Sequence, residues 1–244
     1  MARTTVFDNG GYIGRKATFG EGITLATNGL LLYLDAGDRL SYPGTGTTWT
    51  DLSGNGNHGT LLNGVSYSSA NGGTLVFDGS DDYVSLPSGF GTWTNGITIF
   101  AIVNFGAAST WERIMDFGNG SYASNIFLGR NGTSDTLEFQ MFNGGTLTGT
   151  VSTANGIVNN TTAQYAVALN GTTGTAYRNG NLLNTVSLTA VPPTVTRANN
   201  YIGKSNWADA LFQTSMNVVM IYNRGLTAAE IAQNYNFFKS RYGI

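Results

Sequence analysis

The sequence predicts an all-β protein, an antiparallel β-sandwich carrying one C-terminal α-helix, and three observations predict it. Apolar and polar side chains alternate along short segments, as they do where successive residues point to opposite faces of a sheet. Asn-Gly steps recur between such segments, at 63–64, 119–120, 131–132, 143–144, 170–171 and 179–180. Asn and Gly tolerate best the positive φ that two-residue hairpin turns require. A capped segment with helical spacing stands at the end of the chain.

Taken in chain order, residues 97–103 (ITIFAIV) are apolar on both faces, which predicts a central strand whose outer side is also covered. Leu137, Phe139 and Met141 alternate with Thr136, Glu138 and Gln140, giving one core face. In 163–169, Ala163, Tyr165, Val167 and Leu169 share a face, and residues 177–183 (YRNGNLL) form a hairpin about Asn179-Gly180. Met216, Val218, Met220 and Tyr222 repeat the alternation. Thr227 is then a helix N-cap, and Glu230 three residues on completes a capping box. Ala228, Ile231, Tyr235 and Phe238 fall on one stripe, so the helix should run to about Ser240 and lie against the sandwich.

Composition bounds the rest. The chain has 244 residues, no cysteine and one histidine, which excludes disulfides, thiolate metal sites and multi-histidine zinc sites. Charged residues are 11% of the chain and the net charge is −2, against about 25% charged in ordinary soluble domains. The surface is therefore Thr, Ser, Asn and Gly, and no basic stripe is present to pair with phosphates, so nucleic acid is not expected as a partner. The N-terminus lacks the apolar run of a signal peptide, and no stretch reaches about 18 apolar residues, so a membrane partner is not expected either. Residues 1–27, with Gly10, Gly11, Gly14, Gly20 and Gly22 and the basic Arg3, Arg15 and Lys16, read as a separate N-terminal segment. That segment is either an untethered chain end or an arm that attaches to a neighbouring subunit; residues 28–244 form the domain.

Three further stretches carry a resemblance: 29–37 (GLLLYLDAG), 49–59 (WTDLSGNGNHG) and 75–84 (LVFDGSDDYV). With 221–231 (IYNRGLTAAEI) as closing strand and helix, they resemble the concanavalin A-like, laminin-G-like family of lectin and glucanase jelly rolls over roughly residues 28–244. The stretch 41–49 (SYPGTGTTW) ahead of the Ser-Gly-Asn-Gly-Asn loop is similar to domains of bacteriophage structural proteins. That likeness implies a virion location, with other virion subunits as partners through residues 1–27. One departure stands out: similar domains carry a Gly and an acidic residue on the approach to the last strand, where this chain has Phe212-Gln213-Thr214-Ser215-Met216-Asn217-Val218.

The fold leaves function to be argued from sites. A glucanase needs two carboxylates about 5–10 Å apart, and no glutamate here (Glu21, Glu112, Glu138, Glu230) has an acidic neighbour at the glucanase spacing on one strand. His58 sits in a Gly/Asn loop with no nucleophile motif, and reads as a turn residue. For a sugar, an exposed aromatic face beside amide and carboxylate groups is expected. Asn206, Trp207 and Asp209 in the loop 205–209 offer that set; Trp111, in Trp111-Glu112-Arg113, is a second candidate and Trp93 a third, while Trp49 reads as core. Calcium is the one metal the composition suits, with Asp51, Asn55 and Asn57 as one candidate loop and Asp78, Asp81 and Asp82 as another. The alternative is that these residues bond their own backbone in turns. The expected function is a non-enzymatic, lectin-like module on a virion surface. A structural decoration protein and a glycan hydrolase are the alternatives.

Overall fold

A computed structural model describes residues 23–89, 93 and 96–244. Its strands in chain order begin with β1 (Leu30–Asp35), β2 (Thr48–Trp49), β3 (Gly59–Leu62), β4 (Ser66–Ser68), β5 (Thr74–Asp78), β6 (Tyr83–Leu86), β7 (Ile97–Phe105) and β8 (Arg113–Gly118). They continue with β9 (Ile126–Arg130), β10 (Leu137–Asn143), β11 (Thr146–Thr153), β12 (Thr161–Asn170), β13 (Thr173–Arg178), β14 (Asn181–Ser187), β15 (Asn199–Ile202) and β16 (Gln213–Tyr222), and α1 (Ala228–Tyr242) follows. The described residues form two antiparallel sheets of eight strands each, as expected for a jelly-roll sandwich. The first sheet runs β14-β13-β12-β7-β16-β5-β4, with β1 beside β16, and the second runs β11-β10-β9-β8-β15-β6-β3-β2.

The alternation seen in sequence builds the inter-sheet core. Ile97, Ile99, Ala101, Val103 and Phe105 of β7 meet Met115, Phe117, Leu128, Phe139 and Met141 of the facing sheet. The other side of β7 is also covered: Phe100 and Ile102 join Tyr177, Met220, Ile231, Phe237 and Phe238 in a second apolar layer beneath α1. Thr98, on that same side, donates its hydroxyl to the Arg224 carbonyl and accepts the Leu226 N–H, both at 2.8 Å. The strand is thus tied to the segment that leads into the helix. The Asn179-Gly180 turn has φ of 49° and 73°, the left-handed pair of a type I′ hairpin.

The helix begins as expected, with both halves of the Thr227–Glu230 capping box formed, and ends at Tyr242 with Gly243 in a left-handed cap. Its buried face differs from the expected stripe: Ile231, Asn234, Phe237, Phe238 and Tyr242 are buried, while Ala228 is exposed and Tyr235 half-buried. The reason is Asn234. Its Oδ1 accepts the Ala26 N–H at 2.9 Å, its Nδ2 donates to the Tyr222 hydroxyl at 2.9 Å, and that hydroxyl donates to the Ala26 carbonyl at 2.9 Å. A stripe drawn from apolar residues alone passes over a buried amide whose hydrogen bonds make its burial inexpensive.

The same ring of bonds bears on the N-terminal segment. Residues 1–22, and with them most of the expected arm, lie outside the described residues. Residues 23–27 pack on the domain: Ile23 and Leu25 lie against the layer under α1, and Gln233 donates to the Thr24 carbonyl at 2.6 Å. Among the described residues, no helix is long and apolar enough to cross a membrane.

Candidate functional site

The outer face of the second sheet, remote from α1, is built from β8, β9 and β10. Cross-strand register places Asp116, Phe127 and Gln140 in one row and Arg113, Gly129 and Glu138 in the next. Leu137, Phe139 and Met141 point the other way, into the core, so the polar half of the β10 alternation and, beyond it, Phe142 face outward. Gly129 shapes this face. A Cβ there would lie 3.2 Å from Cδ of Arg113 and 2.9 Å from its Cα, so the absent side chain leaves room for the arginine to fold across. Its guanidinium carbon comes to rest 3.7 Å from the Phe127 ring centre, with Trp111 at 5.2 Å and Trp207 at 5.9 Å.

The loop between β15 and β16 closes over this point. Asp116 is its post: one oxygen accepts the Asn206 N–H at 2.9 Å, and the other accepts the Asn206 and Asn125 side-chain amides, each at 3.0 Å. Burial pushes the Asp116 carboxyl above its ordinary range, and those bonds pull against it. The Ser205 hydroxyl accepts the Trp207 N–H at 3.0 Å and donates to Asp209 at 2.8 Å. Asp209 in turn pairs with the Arg113 Nη2 at 3.0 Å. Trp207 stands edge-on to Tyr122 (5.2 Å, 89°) and Phe127 (6.0 Å, 80°), and tilted to Phe142 (5.7 Å). Together Trp111, Arg113, Tyr122, Phe127, Gln140, Phe142, Trp207 and Asp209 line an open cavity of about 190 Å³.

Backbone strain gathers here. Non-glycine residues with left-handed φ include five asparagines, for which that region is ordinary. Of the four others, Trp111 (56°), Tyr122 (53°) and Ser124 (60°) border the cavity or hold its rim, and Thr214 (95°) lies apart on β16. For such residues the conformation costs roughly 1–3 kcal/mol each and persists only where neighbours enforce it. The Trp111 N–H is held by the Gly132 carbonyl at 2.9 Å, and Ser124 exchanges two bonds with Gly144, each at 2.9 Å. The buried Arg197 adds a 2.8 Å bond from its Nε to the Ser124 carbonyl, and burial lowers that guanidinium to about 10.

The structure therefore brings Trp111, Trp207 and Asp209 to one cavity although they come from distant segments. Asn206, named with them, turns away to Asp116 and builds the loop. Trp93 is fully buried in the inter-sheet core, as is Trp49, so the third aromatic candidate is a packing residue. Glu112, between Trp111 and Arg113 in sequence, is fully buried against Arg130 at 2.8 Å. Sequence reasoning missed Tyr122, Phe127, Gln140 and Phe142. One signal was present: Phe142, near the end of β10, lies on the face that otherwise carries Glu138 and Gln140.

The two candidate calcium loops separate in the same way. Asp51 accepts the N–H groups of Tyr33 and Ser53 on one oxygen, and the Ser53 hydroxyl and Asn57 N–H on the other. Asn55 and Asn57 donate to the Leu31 carbonyl, and His58 Nδ1 accepts the Asp51 N–H. That loop is closed on its own backbone, with the turn contacts named as the alternative for Asp51, Asn55 and Asn57. Asp78, Asp81 and Asp82 place their carboxylate oxygens within 4.8 Å of one another. Asp82 accepts the Asp78 N–H at 3.0 Å on one oxygen, while its buried Oδ1 has no protein partner. Burial raises the Asp82 carboxyl, and the Ser80 N–H holds Asp78 below the usual range. These three carboxylates have the hard oxygen character a calcium ion takes.

Residues 78–232 match the family model described as the concanavalin A-like lectin/glucanases superfamily. The chain belongs to that superfamily. Among curated proteins none matches the sequence. Among solved structures the chain is similar to domain 4 of AbnA, a GH43 extracellular arabinanase from Geobacillus stearothermophilus, in complex with arabinotriose. The TM-score is 0.64 at 17% identity, over 84% of this chain and 98% of that one. It is also similar to the binding domain of Paraclostridial Mosquitocidal Protein 1 (TM-score 0.63, 14% identity, 86% of this chain and 52% of that one). A third similar structure is Trypanosoma rangeli sialidase in complex with sialic acid (TM-score 0.61, 17% identity, 90% of this chain). The superfamily chain described here spans 34% of that sialidase. At these identities the likeness is one of fold, a fold common to sugar-binding domains and glycoside hydrolases.

Proposed function

We propose that this concanavalin A-like domain binds carbohydrate, without catalysis, in the aromatic cavity on the outer face of its second sheet. The observation that carries the reading is the convergence of Trp111, Tyr122 and Trp207 on one cavity, two of them in left-handed backbone. Aromatic faces supply the apolar contact a sugar ring needs, and Asp209 and Gln140 supply polar groups that fix its orientation. The arabinotriose complex of the similar arabinanase domain supports a sugar-binding role on this fold. The test is a fluorescence titration against a broad glycan panel. Trp111 and Trp207 should report a glycan-dependent change that Trp207→Ala removes, and a flat response across the panel would count against the reading.

The location we propose, a phage virion surface, rests on the likeness of 41–57 to virion domains. Residues 1–27 then supply the attachment to other virion subunits. Because residues 23–27 pack on the domain, the informative deletion is 1–22, which should release the protein from virions while its melting temperature is kept. Retention after that deletion would reject the arm. Calcium at Asp78, Asp81 and Asp82 is proposed as a structural ion at the sandwich rim, apart from the sugar cavity.

A further inference from the structure

Resting on the carbohydrate reading, we propose that the sugar this cavity prefers carries a free, protonated amine, with the open oxygen of Asp209 as the partner of that ammonium. Among the described residues two charged side chains line the cavity, Arg113 and Asp209, and they differ in what they leave to a ligand. The Arg113 side chain is 4% exposed and that of Asp209 is 19% exposed. Arg113 Nε and Nη1 are buried, and its Nη2 is bonded to Asp209 at 3.0 Å. The guanidinium is a sealed charge. Asp209 receives Arg113 and Ser205 on one oxygen, Oδ2, at 3.0 and 2.8 Å. Its Oδ1 accepts from no described residue and is not buried. Gln140, also in the lining, adds a neutral acceptor. Its Nε2 faces Glu138 at 2.8 Å, as it must because a carboxylate only accepts. Its Oε1 is left open and without a donor.

The charge a ligand meets is therefore negative, and the rings favour the same answer. Trp111 and Trp207 are half-buried, Tyr122 is exposed, and the negative faces of such rings attract cations. The cluster already holds one cation in its floor, where the Arg113 guanidinium lies 3.7 Å from the centre of the buried Phe127 ring. That inner charge does not act on a ligand unopposed: Asp209 pairs with it, and the carboxyls of Asp116 and Glu138 also act on it. An ammonium at Oδ1 forms a charge-assisted bond, about twice as strong as the bond from a neutral donor. N-acetylation of the same sugar removes the charge and leaves a single N–H. A uronic or sialic acid sets a like charge against Asp209.

The experiment uses the full chain on a glycan array that holds each amino-sugar oligosaccharide in N-acetylated and free-amine form, beside neutral and acidic glycans, followed by titration of the matched pairs. The free-amine member should bind on the order of tenfold more tightly than its acetylated twin. Trp207→Ala should abolish that binding; amine-dependent binding that survives it would place the ligand elsewhere and overturn the inference. Asp209→Asn keeps the side chain's shape and removes its charge, and should bring the pair to near equality. The parent chain gives the same readout without a substitution. Between about pH 6 and about pH 9 a sugar amine loses its proton, as an α-amino group does near 8, and the ratio should fall toward one. The acetylated twin, measured at both values, cancels any titration of Arg113, Asp116, Glu138 or Asp209. A ratio unchanged by pH, or by Asp209→Asn in a folded variant, would overturn the assignment. Equal binding of the twins, or preference for acetylated, neutral or acidic glycans, would overturn this inference and leave the carbohydrate reading standing. Binding of no glycan would overturn both.

Discussion

The outer faces of the two sheets make an instructive pair. Each carries aromatic residues pointing away from the inter-sheet core: Phe100, Tyr177 and Tyr222 on the first, Phe127 and Phe142 on the second. On the first sheet α1 lays Phe237, Phe238 and Tyr242 over them, and Asn234, Tyr222 and Ala26 close a ring of bonds beneath it, with the Gln164 Nε2 of the same face left without a partner. On the second sheet only the 205–209 loop reaches across, Tyr122 stays 59% exposed, and Arg113 and Glu138 keep unpaired atoms. Similar apolar surface has been sealed in one place and left open in the other. The difference lies in the cover: a helix closes one face, and the loop over the other leaves a cavity lined by aromatic rings.

The sharpest break of that comparison is a pair of truncations. Phe238→Ala opens a cavity in the sealed layer and should cost about 3–5 kcal/mol of unfolding free energy, read by denaturant titration. Trp207→Ala on the open face should cost much less stability and abolish the glycan response. Equal stability losses would show that both faces are simply core. Next in size, Asn234→Ala leaves the Ala26 N–H without its acceptor and removes a donor to Tyr222, and should destabilise by about 2 kcal/mol. Hydrogen exchange at Ala26 should accelerate with it.

A smaller effect concerns the start of α1. Arg224, through its hydrogen bonds, holds Glu230 down to about 2 from an ordinary 4.5. A carboxyl lowered by folding stabilises above its unfolded value, and that contribution is lost as pH falls toward the folded one. Stability curves of the parent and Glu230→Gln should thus run parallel above about pH 5 and converge between 4.5 and about 2. Convergence at higher pH would argue against the Arg224 pair. The smallest expected effect is a rise of a few degrees in melting temperature on adding millimolar calcium, by mass action on the native state. Asp82→Asn should remove the rise, and no rise with the parent chain would leave Asp78, Asp81 and Asp82 as turn residues.

Much of this was legible in the chain. The alternation in β10 and β16, the Asn179-Gly180 hairpin, the doubly covered β7 and the Thr227–Glu230 cap were each readable within a window of a few residues. The window failed where partners are distant. Asn234 stands outside the apolar stripe, and its acceptor and donor lie at Tyr222 and Ala26; Gly129 carries no local signal, because its role depends on Arg113 lying across it. Trp207 was set ahead of Trp93 by its polar neighbours Asn206 and Asp209, but only the packing shows that Trp93 is core and that Trp207 meets Trp111 at one cavity.

By itself, then, the order of residues determined the β-rich sandwich, its turns and its capped helix, because those follow from side-chain alternation and hydrogen bonds spanning three or four residues. Tertiary structure alone decided which aromatics meet around Arg113, which carboxylates stand beside it and which face α1 seals. Those choices depend on strand register, and register joins residues as far apart as Arg113 and Asp209, 96 positions along the chain.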